Sequence, residues 1–160
     1  MSQTINQQIT VTAPLQTEEI AAKIGAQLKG GELIELVSDL GGGKTTFVRG
    51  LSRGAGSADH VSSPTFTISK QYQAGPLTIY HFDFYRLPDA GLMEHELAEL
   101  IGQPKIVIVV EWADVVQAVF PTQYLQVKLE LLPGADQESS RQLSFSYPPK
   151  LSYLLESVKK

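Results

Sequence analysis

The sequence predicts a three-layer α/β domain in which a mixed β-sheet is flanked by helices. Strand-like and helix-like segments alternate through the first half of the chain, and two pairs of β-rich segments separated by turns indicate antiparallel neighbours. A length of 160 residues with 42% hydrophobic residues suits one domain with a substantial core, and no repeat or linker divides it. We therefore expect residues 1–160 to form a single domain.

The first elements follow from hydrophobic periodicity. "QITVT" alternates like a strand, and "QTEEIAAKIGAQLKGG" is typical of an amphipathic helix capped by Thr17, with acids in its first turn. "ELIELV" is apolar enough for a buried strand. "TTFVRGLSRGAG" places Phe47, Val48 and Leu51 on one face of a helix that ends at its glycines.

The later elements are more β-rich. "TFTISKQY" and "LTIYHFDFY" predict antiparallel strands, and "KIVIVVEW" predicts a buried strand that ends in an acid. Between them, "DAGLMEHELAELIG" predicts a helix whose apolar face consists of Leu92, Met93, Leu97, Leu100 and Ile101. "YLQVKLELL" and "RQLSFSY" form a predicted strand pair around "PGADQESS", and "LSYLLESVKK" closes the chain as a short helix.

Composition excludes several classes of protein. The chain has no cysteine, so neither disulfides nor thiolate metal sites are available. The net charge is −4 and no basic run exists beyond Lys159 and Lys160, so we expect any contact with nucleic acid to be indirect. The polar N-terminus lacks an apolar signal core, and "IVIVV" is too short to span a bilayer. A cytoplasmic location without membrane attachment is expected.

A glycine-rich loop joins the second predicted strand to the second predicted helix. "SDLGGGKT" departs from the usual phosphate-binding pattern, Gly, four residues, Gly-Lys-Ser/Thr, only in having Ser38 at its first position. Backbone N–H groups at a helix N-terminus favour anions, and Lys44 can reach terminal phosphates while Thr45 can bind magnesium. The loop backbone that would cradle the phosphates comprises Leu40, Gly41, Gly42 and Gly43. The sequence thus predicts a P-loop NTPase-like domain, the alternative being a glycine-rich turn with an exposed lysine.

Two acids end predicted strands. Glu111 directly follows five apolar residues, and Asp83 ends "YHFD". Open α/β sheets bind their ligands at the C-terminal ends of such strands, so both are candidates for metal binding and for orienting water. The alternative for each is a solvated carboxylate at the end of a strand.

Several segments in order resemble one protein family. "SDLGGGKTTFVRGL", "VSSPTFTI", "YHFDFYRL" and "VVEWAD", within roughly residues 33 to 114, are similar to the bacterial TsaE family, also called YjeE. The resemblance implies an ATPase required for threonylcarbamoyladenosine (t6A) modification of tRNA. It would act with TsaD and TsaB, meet tRNA only through that complex, and be a monomer or weak oligomer alone. The chain departs from the family pattern at Ser38 and at Ala113, where the family usually has Gly and Pro.

The resemblance also implies site roles for individual residues. Lys44 and Thr46 would contact the phosphates of ATP or ADP, and Thr45 would bind Mg²⁺. Asp83 and Glu111 would bind the metal or position the attacking water.

Other motif residues have less defined roles. Thr65 falls in a segment that resembles a nucleotide-dependent switch near the terminal phosphate and magnesium, the alternative being the start of a strand. Trp112 is expected to stack on adenine, the alternative being a core residue. Arg86 is either a phosphate or partner contact or part of a surface salt bridge. His81 is either a buried, hydrogen-bonded histidine or a site residue, and the role of Tyr85 is open.

Hydrolysis by the isolated protein is expected to be slow. No arginine stands out as a finger for the transition state, a group that often comes from a partner. Two alternatives from other classes remain: a small-molecule kinase, and an interaction module that binds ATP without hydrolysing it. The kinase would need an arginine-rich lid, and the four arginines form no such cluster: Arg49, Arg53, Arg86 and Arg141.

Overall fold

A mixed β-sheet forms the middle layer of the protein. The computed structural model describes residues 3–39, 41, 43–85, 87–132 and 140–158. Seven strands lie in these residues: β1 (Ile5–Val11), β2 (Leu33–Val37), β3 (Ser69–Ala74), β4 (Leu77–Asp83), β5 (Ile106–Glu111), β6 (Leu125–Leu131) and β7 (Arg141–Tyr147). The helices are α1 (Pro14–Gly25), α2 (Lys44–Gly54) and α3 (Leu92–Leu100), with 3₁₀ helices at Ala113–Val119 and Pro149–Val158.

The order of the strands brings the ends of three parallel strands together. The sheet runs β1-β7-β6-β2-β5-β4-β3; β4, β5, β2 and β6 are parallel, and the remaining pairs are antiparallel. In the β-sheet register Glu111 lies opposite Leu36 of β2 on one side and opposite Asp83 of β4 on the other. The loop after β2 and the two strand-end acids therefore share one edge of the sheet.

Helices cover both faces of the sheet. One core joins α1, α2 and the last 3₁₀ helix to the sheet, with Phe47, Val48 and Leu51 all buried as predicted. The other core joins α3 and the first 3₁₀ helix to the opposite face. This arrangement confirms the predicted three-layer α/β fold with a mixed sheet. Within the described ranges, no helix is both long and apolar enough to cross a bilayer.

Close packing against α1 fixes the position of α2. A Cβ atom at Gly50 would lie 2.2 Å from the carbonyl oxygen of Glu18, and one at Gly54 would lie 2.0 Å from that of Ala22. Only glycine permits this approach of the two backbones. The N-terminus of α2 is thereby held at the edge of the sheet where β2 ends.

The predicted cap of the first helix is wrong. Helix α1 begins at Pro14, whose fixed φ suits the first helical position, and Thr17 lies inside the helix with 3% exposure. The side chain of Gln16 accepts a hydrogen bond from the Thr12 N–H at 2.6 Å. A starting proline therefore takes the place of the predicted threonine cap, and no side chain caps the first turn.

Three later segments also differ from the predictions. Strand β3 begins at Ser69, because residues 65–67 form a turn in which the Pro64 carbonyl accepts from the N–H groups of Thr67 and Ile68. In α3 only Leu97 is buried, and Leu92 is 84% exposed. The 3₁₀ helix after β5 was not predicted. Most of the predicted turn "PGADQESS" lies outside the described residues.

Candidate functional site

A cleft of about 300 Å³ opens at the edge where β2, β4 and β5 end. Its walls come from the glycine-rich loop, the first turn of α2, the segment before β3 and the ends of β4 and β5. It is lined by Gly41, Gly43, Lys44, Thr45, Thr46, Ser63, Thr65, Asp83, Glu111 and Trp112. Nine of these ten residues were predicted site residues. Of the other residues named from the sequence, His81 and Tyr85 do not line the cleft, and Leu40, Gly42 and Arg86 lie outside the described residues.

The glycine-rich loop places the N-terminus of α2 at the cleft. Gly41 and Gly43 have φ values of +79° and +103°, which side chains disfavour. Gly43 is the N-cap residue of α2, and no side chain caps the first turn. The first N–H groups of a helix have no partner within it, and the helix dipole favours anions there. This turn of backbone is suited to a phosphate group.

The ammonium group of Lys44 lies inside the cleft, with only 8% of the residue exposed. Nζ donates to the Ser38 carbonyl oxygen at 3.0 Å, and it lies 3.3 Å from Ser38 Oγ and 3.4 Å from the Asp39 carbonyl oxygen. It also lies 4.7 Å from the centre of the Trp112 ring. Ser38 thus binds the lysine with both its carbonyl and its hydroxyl, and a glycine there would lack the second contact.

Opposing effects act on the charge of this lysine. Burial lowers the pKa of Lys44, whereas the carboxylates of Glu111, Asp83 and Asp39 raise it. The acids favour the charged form of a group that burial alone would tend to neutralise. The cleft therefore combines one buried cation with carboxylates at its edge.

Asp83 has both carboxylate oxygens bound to protein donors. It is 3% exposed; Oδ2 accepts from Thr65 Oγ1 at 2.7 Å, and Oδ1 accepts from the Tyr85 N–H at 2.9 Å. Glu111, also 3% exposed, bonds His81 Nε2 through Oε2. Within the described part of the chain, Oε1 of Glu111 receives no protein hydrogen bond. The two acids are neighbours in register but differ in their free acceptor capacity.

The segment before β3 is tied to Asp83 at two points. Besides the Thr65 bond, the Asp83 N–H donates to the carbonyl oxygen of Ile68 at 2.8 Å. Ile68 has a φ of +69°, a strained conformation for a β-branched residue. Ser63, whose Oγ lies 2.6 Å from Thr65 Oγ1, was not predicted as a site residue, although the run "SSPT" placed it two residues from one.

Trp112 lines the cleft next to the Lys44 ammonium. It directly follows β5 with a φ of +54°, and its ring lies 4.9 Å from that of Tyr85. Ala113, at the position where the family usually has proline, is buried and begins the 3₁₀ helix. The ring of Trp112 therefore lies at the same end of the cleft as the lysine ammonium.

The oxygen atoms of the cleft suit magnesium. The described residues contain no group of three or more histidine, cysteine or acidic side chains placed to hold a metal alone. Mg²⁺ is usually bound through one or two carboxylates together with substrate phosphates and water. Two carboxylates and the hydroxyls of Thr45 and Thr65 line this cleft, so the donor set fits a metal that arrives with a phosphorylated substrate.

The fold and the loop define a P-loop NTPase-like protein. The sequence model of the family described as "Threonylcarbamoyl adenosine biosynthesis protein TsaE" matches residues 11–142. The chain belongs to the TsaE family, which confirms the resemblance found in the sequence.

Individual relatives agree with this assignment. The tRNA threonylcarbamoyladenosine biosynthesis protein TsaE of Bacillus subtilis (strain 168) is 40% identical over 121 residues, covering 73% of each chain. The protein of the same name from Rickettsia bellii is 33% identical over 132 residues, covering 81% of this chain and 90% of the relative. The crystal structure of YdiB from Bacillus subtilis superposes with a TM-score of 0.75 at 31% identity, covering 99% of this chain and 97% of that one.

Proposed function

We propose that the protein binds magnesium ATP in this cleft, hydrolyses it slowly, and thereby supports t6A modification of tRNA together with TsaD and TsaB. One observation carries the proposal: a buried lysine, the uncapped N-terminus of α2 and two buried acids converge on the edge of the sheet where the glycine-rich loop follows β2. Family membership supports a role in t6A biosynthesis, and the two partners are those that the resemblance implies. We place this activity in the cytoplasm.

The phosphates would bind along the loop and the first turn of α2. Backbone N–H groups and the Lys44 ammonium would supply the positive potential, and Thr46 would add a hydroxyl. Leu40 and Gly42, which the sequence predicts as parts of this cradle, lie outside the described residues. Binding energy in such a site comes from charge-assisted hydrogen bonds, which are stronger than neutral ones.

Magnesium, when bound, would neutralise charge on the terminal phosphates. Thr45 would be its hydroxyl ligand, and Asp83, Glu111 and Thr65 lie on the same cleft as further candidate contacts. Of these, Asp83 already holds Thr65 through Oδ2. We infer that Asp83 connects the metal site to the segment that contains Thr65.

Glu111 is the better candidate for orienting the attacking water. Both oxygens of Asp83 accept from protein donors, whereas Oε1 of Glu111 receives none from the described residues. A water that attacks a phosphate must be held by an acceptor at the cleft surface. We therefore assign this role to Glu111. Asp83, whose Oδ2 accepts from Thr65, keeps the candidate role of connecting the metal to the segment that contains Thr65.

The position of Trp112 favours contact at the phosphate end of the nucleotide. Its ring centre lies 4.7 Å from the Lys44 ammonium, which would bind the terminal phosphates. Adenine lies at the opposite end of ATP from those phosphates. We therefore propose that Trp112 contacts the nucleotide beside Lys44, while the predicted stacking on adenine stays the alternative.

We infer slow hydrolysis in isolation, and two of the four arginines support this. Arg49 and Arg53 both pair with Glu18 of α1, at 3.3 and 2.9 Å, and neither lines the cleft. A partner that delivers an arginine would raise the rate by roughly 10³–10⁵-fold, and a partner that orders the segment containing Thr65 would also raise it. The nucleotide state would in turn change the affinity for the partners through that segment.

Phosphate release measured under three conditions tests this function. The wild-type protein is assayed alone, with purified TsaD and TsaB, and with a panel of small phosphate acceptors, and Lys44→Met is the control for contaminating ATPases. We expect slow release alone and faster release with the partners. Phosphate transfer to an acceptor would instead indicate a kinase, and ATP binding without release under any condition would indicate a non-hydrolysing module.

A further inference from the structure

A buried histidine lies directly behind Glu111, and the proposed hydrolysis assigns it no role. His81 belongs to β4 and is fully buried, two residues before Asp83 on the same face of the strand. Its Nε2 is hydrogen-bonded to Oε2 of Glu111 across the β4–β5 pair. The acid proposed to orient water is therefore held by a second side chain from the neighbouring strand.

The surroundings of the other ring nitrogen, Nδ1, indicate which nitrogen of His81 carries the proton. Nδ1 of His81 is buried and has no hydrogen-bond partner within the described residues. A buried N–H without an acceptor is costly, and native structures tolerate an unpaired acceptor more readily than an unpaired donor. The favoured form is thus the neutral ring with its proton on Nε2, where the N–H donates to the Glu111 carboxylate.

This hydrogen bond restricts how Glu111 can turn. With Oε2 held by His81, rotation of the carboxylate would break a charge-assisted bond inside the protein. Oε1, which receives no protein hydrogen bond in the described residues, is then the oxygen left for the cleft that Glu111 lines. His81 thus restricts the orientation of the Glu111 carboxylate, and it does not line the cleft itself.

We propose that His81 is a positioning residue for hydrolysis: its Nε2–H holds one oxygen of Glu111 so that the other can orient the attacking water. The catalytic effect of His81 rests on the proposed ATP hydrolysis, whereas the hydrogen bond between His81 and Glu111 does not. Losing the hydrogen bond should lower kcat and leave KM for ATP nearly unchanged, because Lys44 and the loop bind the phosphates.

Two substitutions separate the hydrogen bond from the volume of the ring. In His81→Gln the amide N–H can occupy about the position of Nε2, whereas in His81→Asn it lies nearer the position of Nδ1 and cannot reach Glu111. With partners present, we expect His81→Gln to keep kcat within about 3-fold and His81→Asn to lower it roughly 10²-fold, as misplaced catalytic groups do. In a Glu111→Gln background His81→Asn should add no further loss.

A measurement without nucleotide tests the pair independently. The chain has three histidines, so nitrogen NMR of histidine-labelled protein gives three ring signals, and that of His81 is identified by its loss in His81→Asn. We expect a neutral ring with bare Nδ1, and we expect Glu111→Gln to shift its Nε2 signal but not those of His60 and His95. A proton on Nδ1, or a wild-type kcat in His81→Asn, would overturn the proposal. If the wild type hydrolyses no ATP even with partners, the proposed function fails, while the NMR result still decides the hydrogen bond.

Discussion

The hydrogen bond from Thr65 to Asp83 should control how often the segment before β3 opens. Thr65→Val keeps the shape of the side chain and removes the hydroxyl that donates to Oδ2 at 2.7 Å. A hydrogen bond to a charged group contributes about 1.5–3 kcal/mol. The lower part of this range applies, because Thr65 is partly exposed and the Tyr85 N–H still satisfies Oδ1. An effect of about 1.5–2 kcal/mol corresponds to a 10- to 30-fold rise in the opening equilibrium.

Amide hydrogen exchange measures this opening directly. The N–H groups of Thr67 and Ile68 bond to the Pro64 carbonyl, and that of Asp83 bonds to Ile68, so their protection reports the closed segment. We expect exchange at these amides to accelerate about 10- to 30-fold in Thr65→Val. Thr65→Ser retains the hydroxyl and is the matched control, with exchange close to the wild type. Equal protection in wild type and Thr65→Val would refute a closing role for the bond.

Three further predictions concern the cleft. Lys44→Met should weaken ATP binding by about 3 kcal/mol, roughly 10²-fold in Kd, in a protein that still unfolds cooperatively. Calorimetry and thermal melts check this, and an unchanged Kd would show that Lys44 does not bind the phosphates. Fluorescence emission from the single tryptophan, Trp112, should change with magnesium ATP and with magnesium tripolyphosphate but not with adenosine. A change with adenosine alone would instead indicate that Trp112 stacks on adenine, a contact that contributes about 1–3 kcal/mol. Chelating magnesium should abolish hydrolysis with partners present, and Asp83→Asn should raise the magnesium concentration needed for half-maximal rate. An unchanged magnesium concentration at half-maximal rate in Asp83→Asn would show that Asp83 does not bind the metal.

Local signals in the sequence accounted for most of the cleft. A strand, a glycine-rich turn and a helix are contiguous in the chain, so the place of Lys44 and Thr45 at a helix N-terminus could be predicted without knowing the rest of the fold. Strand ends are equally local, and they predicted the placement of Asp83 and Glu111 at the same edge. The burial of Phe47 and Leu51 followed from helical periodicity.

Features that depend on tertiary contacts could not be predicted in this way. The bond between His81 and Glu111 joins residues 30 positions apart and requires the register of β4 and β5. The left-handed backbone at Ile68 contradicts the preference of a β-branched residue, and its carbonyl is held by the Asp83 N–H. Likewise, periodicity in α3 predicted an apolar face but could not show that the helix turns Leu92 to solvent.

Phosphate release by Glu111→Gln tests the central claim, that ATP is hydrolysed in this cleft with Glu111 orienting the water. Wild type and variant are saturated with magnesium ATP in the presence of TsaD and TsaB, after calorimetry has given the Kd of each. We expect nearly equal affinities and a rate about 10²-fold or more lower in the variant, because the carboxamide has the same size but accepts the water's proton poorly. Release at the wild-type rate by Glu111→Gln would contradict it.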